Sequence, residues 1–308
     1  MKRTIAIIAA GLLCLGAAAQ EGPEVFQARF DRQVRMVGAA GVGVETILDR
    51  WEAAYPDDPQ MHEGRYSFWL AKSMSSEVVQ KDGRRYLGKE PVLALKDEAG
   101  NDVFYFEDNV FEDSLFALSQ TAIDKAIGLA PDELAYRVDK ITALMLYEKD
   151  SPDMATRELL QLINYHKSSA PEWTYRGLPV DAETFRQTIL EYCFNLFQYG
   201  TPGSYEAFRV VSEAMLKLDP KDTDFMCNMG SYWLVFKQNS RQALKWYNKV
   251  LKIDPANYTA AKNCVLLARK EKDVKLEKKY LPALIAATDS DTERASCEAR
   301  LQVLSQKK

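Results

Sequence analysis

The feature that most limits what this chain can become is a spacing that recurs along it. In "RQALKWYNKVLKIDP", residues 241–255, Ala243, Tyr247, Val250 and Pro255 follow one another at steps of four, three and five. A helix that buries one stripe needs apolar positions three and four apart. Proline then ends it, because its nitrogen cannot continue the hydrogen-bond ladder. Val44, Leu48, Trp51 and Pro56 keep the same steps, as do Ser119, Ile123, Ala126 and Pro131, and Phe208, Ser212, Met215 and Pro220. Ala155, Leu159 and Leu162 keep them without the proline, and Leu276, Tyr280 and Ala283 keep them with Thr288 in its slot. Any amphipathic helix supplies two such steps. Four sets closed by proline indicate a stack of similar helical units.

The clearest two units, "YEAFRVVSEAMLKLDP" and "RQALKWYNKVLKIDP", have prolines 35 residues apart, with "FMCNMGSYW" between them. Met226, Met229, Gly230 and Trp233 of that stretch resemble the first helix of a tetratricopeptide repeat, whose pattern is Trp-x2-Leu-Gly-x2-Tyr followed by Ala, Phe and Pro. By that resemblance, Gly230 would let two helices approach closely. The resemblance is good over residues 184–288 and looser over 24–70 and 112–166. It departs at Met226, where the family has tryptophan, at Ser119 and Ser212, where larger residues are usual, and by one extra residue between Trp233 and Ala243. It implies an all-α, right-handed α-solenoid of at least five helix pairs.

The same spacing exposes interruptions. Pro56 to Pro131 is 75 residues and Pro131 to Pro220 is 89, so the first interval exceeds one repeat by about forty residues and the second exceeds two by about twenty. In the first excess, "VLAL" and "VFYF" flank the turn-rich "KDEAGND", which predicts a β-hairpin within residues 78–111, its strands near 90–106. The second, "YHKSSAPEWTYRGLPVDA", reads as an ordered loop. The divisions expected are a leader over 1–19, helices over 24–75, the hairpin insertion over 76–111, helices over 112–166, the loop over 167–183, repeats over 184–288 and a capping helix over 289–308. A repeat stack needs such a polar-faced cap.

"MKRTIAIIAAGLLCLGAAAQ" places Lys2 and Arg3 before an apolar run and Ala17–Ala19 after it, the order of a secretory signal peptide cleaved after Ala19 or Gln20. The run is too short for a permanent span. Leu13 before Cys14 disfavours lipidation there. Cleavage would move the net charge from −4 to −6 by removing Lys2 and Arg3, which argues against a nucleic-acid partner and against a polybasic membrane tether. Cys193, Cys227, Cys264 and Cys297 are too few and too scattered for a disulfide framework. The first three are expected on the first helices of successive pairs, buried and reduced.

Little in the chain points to chemistry. His62 and His166 stand without a nucleophile constellation, and a histidine at a helix C-terminus is favoured by the dipole alone. "GAAGVGVET" lacks the Lys-Ser/Thr of a phosphate loop and reads as a helix connector. Glu107, Asp108, Glu112 and Asp113 lack calcium-loop spacing and read as a solvated edge, with Phe104, Phe106, Phe111 and Phe116 packed inward. No cofactor and no metal is expected, and an enzyme housed in the insertion is disfavoured.

The repeat resemblance implies a concave groove lined by the first helix of each pair. By register with Gly230, its candidates are Asp224, Ser231, Lys262 and Arg269, with Glu63 and Ser67 in the first repeat. Trp173 and Tyr175 form a second candidate surface, because a loop aromatic pair can anchor a peptide or stack on a sugar. The function expected is a non-enzymatic, exported (periplasmic or extracellular) scaffold that binds a protein or extended peptide. The alternative is a glycan-binding module of an envelope nutrient-capture system.

Overall fold

The computed structural model describes residues 21–306, so the leader and Cys14 lie outside the described residues. The spacing of four, three and five marks the second helix of each pair, as expected. Six pairs follow one another: α1 (Pro23–Val37) with α2 (Val44–Ala54), α3 (Pro59–Ser73) with α4 (Asp113–Leu129), α5 (Leu134–Glu148) with α6 (Asp153–Ser169), α7 (Ala182–Tyr199) with α8 (Pro202–Leu216), α9 (Thr223–Ser231) with α10 (Ser240–Ile253), and α11 (Tyr258–Lys270) with α12 (Val274–Ala287). A last helix, α13 (Asp291–Gln306), packs on α12. This is an all-α, tetratricopeptide-like helical repeat with a small β insertion.

In each of the second helices from α2 to α10, all three apolar-step residues are buried. Ser119 and Ser212, the small exceptions, are tolerated because their hydroxyls donate back to the Phe116 and Phe208 carbonyls at 2.6 and 2.7 Å. A buried hydroxyl without such an acceptor would cost about 1–3 kcal/mol. The core runs along the stack in three successive clusters, the first around Trp51 and the last around Tyr247. Gly230 has the role its motif suggests. A Cβ built on it would collide with the Tyr247 ring, so α9 and α10 touch at a point where no larger residue fits.

The extra residue after Trp233 also finds its place. Residues Tyr232–Phe236 continue α9 as a π turn, with the Lys237 N–H donating to the Tyr232 carbonyl at 3.2 Å. A π turn takes up one inserted residue without ending the helix.

The insertion is larger than the hairpin expected. Strands β2 (Leu93–Lys96) and β3 (Asp102–Phe111) pair across "KDEAGND" as read, but β1 (Met74–Lys81) adds to the other side of β3, in the order β1-β3-β2. Alternation in "MSSEVVQK" is too weak to announce a strand. Tertiary connection imposes it, because β1 leaves α3 directly and β3 runs directly into α4. The Glu112 N–H donates to the Ser73 carbonyl at 2.8 Å where ribbon and helices meet. The loop of this helix pair is thus drawn out into an antiparallel ribbon. Its inner face holds buried Phe106 and Asp108, the latter paired with Lys149 of α5 at 2.7 Å. A second departure is the short pair β4 (Thr174–Tyr175) and β5 (Leu178–Pro179) in the segment read as an ordered loop without strands.

Candidate functional site: a carboxylate-lined cavity under an arginine turn

The hairpin of β4 and β5 turns on only two residues, Arg176 and Gly177, at φ +50° and +78°. Two positive φ values suit the right-handed twist of a two-residue hairpin. Glycine adopts this backbone freely, whereas for arginine it is strained. Glu133, at the N-terminus of α5, holds the turn in place. Its carboxylate accepts from the Arg176 N–H at 2.7 Å, the Gly177 N–H at 3.2 Å and the Thr174 hydroxyl at 2.9 Å, and it caps α5 through the Ala135 N–H at 3.2 Å. Burial pushes this carboxyl up, but donation from the Arg176 N–H, the Thr174 hydroxyl and the Gly177 N–H outweighs it, so Glu133 stays below the usual glutamate range.

Held this way, the Arg176 guanidinium reaches two carboxylates on neighbouring first helices, Glu63 of α3 at 2.9 Å and Asp139 of α5 at 3.4 Å. Burial raises both carboxyls above their ordinary range, and the Arg176 charge offsets part of that rise. Beside this triad opens a cavity of about 690 Å³, between α1, α3 and the start of α5. Asp31, Glu63, Asp132, Glu133 and Glu172 line it, and Arg176 is the one cation among the lining residues. Asp31 and Glu172 have no ion pair among the described residues, and the Asp132 carboxylate accepts the Tyr165 hydroxyl at 2.7 Å.

Of the residues singled out from the sequence, Glu63 and Ser67 line this cavity, though α3 is the first helix of the second pair rather than of the first. Asp224 and Ser231 lie far along the stack beside a smaller, more apolar depression lined by Leu190, Phe194, Phe197 and Asn228. There Asp224 is taken by Arg186, and the Ser231 and Tyr247 hydroxyls are 3.1 Å apart. Lys262 and Arg269 are half-exposed and already ion-paired. Both turn toward the next helices: Lys262 pairs with Glu293 at 3.4 Å, and Arg269 with Glu277 at 2.7 Å. Glu277 is 2% exposed and is shared with Arg300, so Arg269 helps to neutralise a buried carboxylate between α11, α12 and α13.

The loop aromatics separate. Trp173 is buried at 4% exposure, stacked on Phe185, with its indole N–H donating to His166 Nδ1 at 3.0 Å. It plugs the loop onto its scaffold and offers no face to a ligand. The same stack explains His166: burial lowers its pKa, contrary to what a helix C-terminus alone would do. Tyr175 stays 38% exposed beside Arg176. His62 is buried, its Nε2 2.8 Å from the Pro56 carbonyl oxygen. Sequence reasoning missed Arg176, Glu133 and Asp139. The two-residue "RG" between "TY" and "LP" was the available sign of a hairpin, but nothing local ties Arg176 to carboxylates 113 and 37 residues away.

Cys193, Cys227, Cys264 and Cys297 are free and buried, the first three on α7, α9 and α11. Burial pushes the Cys193 thiol up to about 12, which makes it unreactive near neutral pH. Among the described residues, no helix is long and apolar enough to cross a membrane.

No protein-family model and no curated protein matches the chain. Among solved structures it is similar to PilF of Pseudomonas aeruginosa at 14% identity, over 62% of this chain and 77% of that one, with a TM-score of 0.39. The Yersinia enterocolitica type III secretion translocator chaperone SycD aligns at 17% identity over 42% and 88%, with a TM-score of 0.34. A flexible tandem repeat domain from bacterial cellulose synthase aligns at 13% over 92% and 96%, with a TM-score of 0.28. Likeness this distant carries no argument, and the repeat assignment rests on the helix pairing and buried steps described above.

Proposed function

We propose that the chain is a non-enzymatic, exported scaffold that binds a protein or extended peptide along its first helices, and that a basic segment of the partner sits in the cavity under Arg176. The observation that carries this reading is the charge of the cavity: five lining carboxylates and one cation, which is itself bridged to Glu63 and Asp139. A low-dielectric, one-sign cleft attracts the opposite charge. Export rests on the leader-like order of residues 1–20. Of the two loop aromatics on which a sugar could have stacked, Trp173 is buried and only Tyr175 stays exposed, which favours a peptide over a glycan ligand.

The test is calorimetric titration of the full chain with a lysine-rich peptide and with an aspartate-rich peptide of equal length. The basic peptide should bind and the acidic one should not. Glu63→Gln should weaken binding by about tenfold, in keeping with loss of one partly buried charge contact. Lowering the pH should weaken it too, starting above the ordinary glutamate value of about 4.3, because burial makes Glu63 and Asp139 take up protons early. The sign for stability is opposite: a raised carboxyl pKa favours the fold at low pH, and that contribution is lost as pH rises through it. Equal binding of the two peptides, or a Glu63→Gln variant that binds normally, would overturn the reading.

A further inference from the structure

The ribbon that replaces the α3–α4 loop has two edges of different character. β2 is four residues long, follows Pro91 and ends on Lys96, features that discourage pairing with another chain. β1 is eight residues long, pairs with β3 in unbroken register over its whole length and contains no proline. Among the described residues its outward backbone groups find no partner, and Met74–Val78 are exposed in succession. Such an edge is a template for another strand.

Charge indicates which strand. Glu77 lies directly opposite Asp108 of β3, and like charges placed so are destabilising. Asp108 is compensated by Lys149, whereas Glu77 has no ion pair among the described residues. Lys81 has none either, and its ammonium lies over the Tyr86 ring, 4.2 Å from the centroid. Glu77 and Lys81 are four residues apart on one strand, roughly 13 Å, so they cannot satisfy each other.

We infer that β1 pairs antiparallel with β1 of a second copy of this chain, about a two-fold axis at Val79, so that Glu77 of each copy faces Lys81 of the other. On an antiparallel edge, outward-pointing residues alternate, so a two-fold register must centre on a residue. A centre at Glu77 sets two glutamates together, and a centre at Val78 sets Glu77 opposite Val79. The centre at Val79 pairs Glu77 with Lys81 twice and Val79 with itself. The result is a continuous six-stranded sheet, and the exposed Val78 of each copy gains Gln80 of the other as its cross-strand neighbour.

Sedimentation equilibrium of the full chain at rising concentration tests this. The expected result is a monomer–dimer equilibrium. Glu77→Lys sets lysine against lysine at two symmetric places and should weaken the dimer by about tenfold. The exchange Glu77→Lys with Lys81→Glu should restore it, which separates a register effect from damage to the strand. Under oxidation, Val79→Cys should form a covalent dimer, since directly opposed residues fall within disulfide reach, and Val78→Cys, offset by two residues from its mate, should not. A chain that stays monomeric overturns the inference, as it would if the edge served a different protein. So does a dimer indifferent to Glu77→Lys, or one that the double exchange fails to restore.

Discussion

Between α1, α3 and α5 the first helices border a cavity lined with carboxylates and flanked by the Arg176 turn. Between α7, α9 and α11 helices of the same kind leave a smaller depression, where Leu190, Phe194 and Phe197 lie beside Asn228 and Thr259. What separates these regions is the connection after the second helix. The α6–α7 loop carries the β4–β5 hairpin and reaches back over α5. The α8–α9 loop, residues 217–222, is only long enough to cap α9 through Asp222. The repeat therefore supplies a common frame, and the loop after the second helix decides whether a stretch of it carries a large, charged site or a small, apolar one.

The largest effect expected from breaking this comparison concerns the frame itself. Gly230 and Gly64 are both on first helices, and both meet a side chain of a second helix, Tyr247 and Leu48. A Cβ at Gly230 would run into an aromatic ring whose hydroxyl is 3.1 Å from that of Ser231. At Gly64 it would stand 2.8 Å from the end of a leucine side chain, which can turn aside. In urea unfolding, Gly230→Ala should cost about 3 kcal/mol from overpacking, whereas Gly64→Ala should cost about 1 kcal/mol. Equal losses would mean that the two close approaches are not built differently.

Next in size is the charge at the far end. Arg269→Glu would place a second carboxylate against buried Glu277 and should lower stability by about 2 kcal/mol. A charge reversal on an open groove face would cost only a few tenths of a kcal/mol. Hydrogen bonding from Arg300, and then from Arg269, holds the Glu277 carboxyl below its usual range despite burial. Its contribution is therefore present above the ordinary glutamate value and is lost as pH falls toward the depressed one. An Arg269→Glu chain as stable as the parent at neutral pH would mean that the pair with Glu277 contributes nothing to the fold.

The smallest stability effect should come from the apolar depression. Phe194 is 60% exposed, so Phe194→Ala should change unfolding by no more than about 0.5 kcal/mol. It should nevertheless abolish the binding of an apolar fluorescent probe there and leave the basic-peptide titration at the other end unaltered. A change in both would show that the two regions do not act separately.

The four-three-five steps and their prolines were enough to determine the helix pairs, the second helices and the buried stripe on each. Those depend on residues within one turn or two of each other, where 3.6-residue geometry acts directly. Gly230 was legible for the same reason, and so was the β2–β3 hairpin, whose turn chemistry lies between its strands. Glu63 and Ser67 were singled out by register, though one repeat too early, and both line the cavity. Tertiary structure decided the rest. β1 is a strand because it must run beside β3 after leaving α3. Trp173 is a plug because Phe185 and His166 stand ready to stack on it. Arg269 is committed to an ion pair because Glu277 is buried beside it. Arg176 completes a site because Glu133 pins its turn, and Glu63 and Asp139 come from two helices that only the stack brings together. Local periodicity specifies which face of a helix is buried. Which charged side chains meet across helices depends on distances in space that no spacing along the chain encodes.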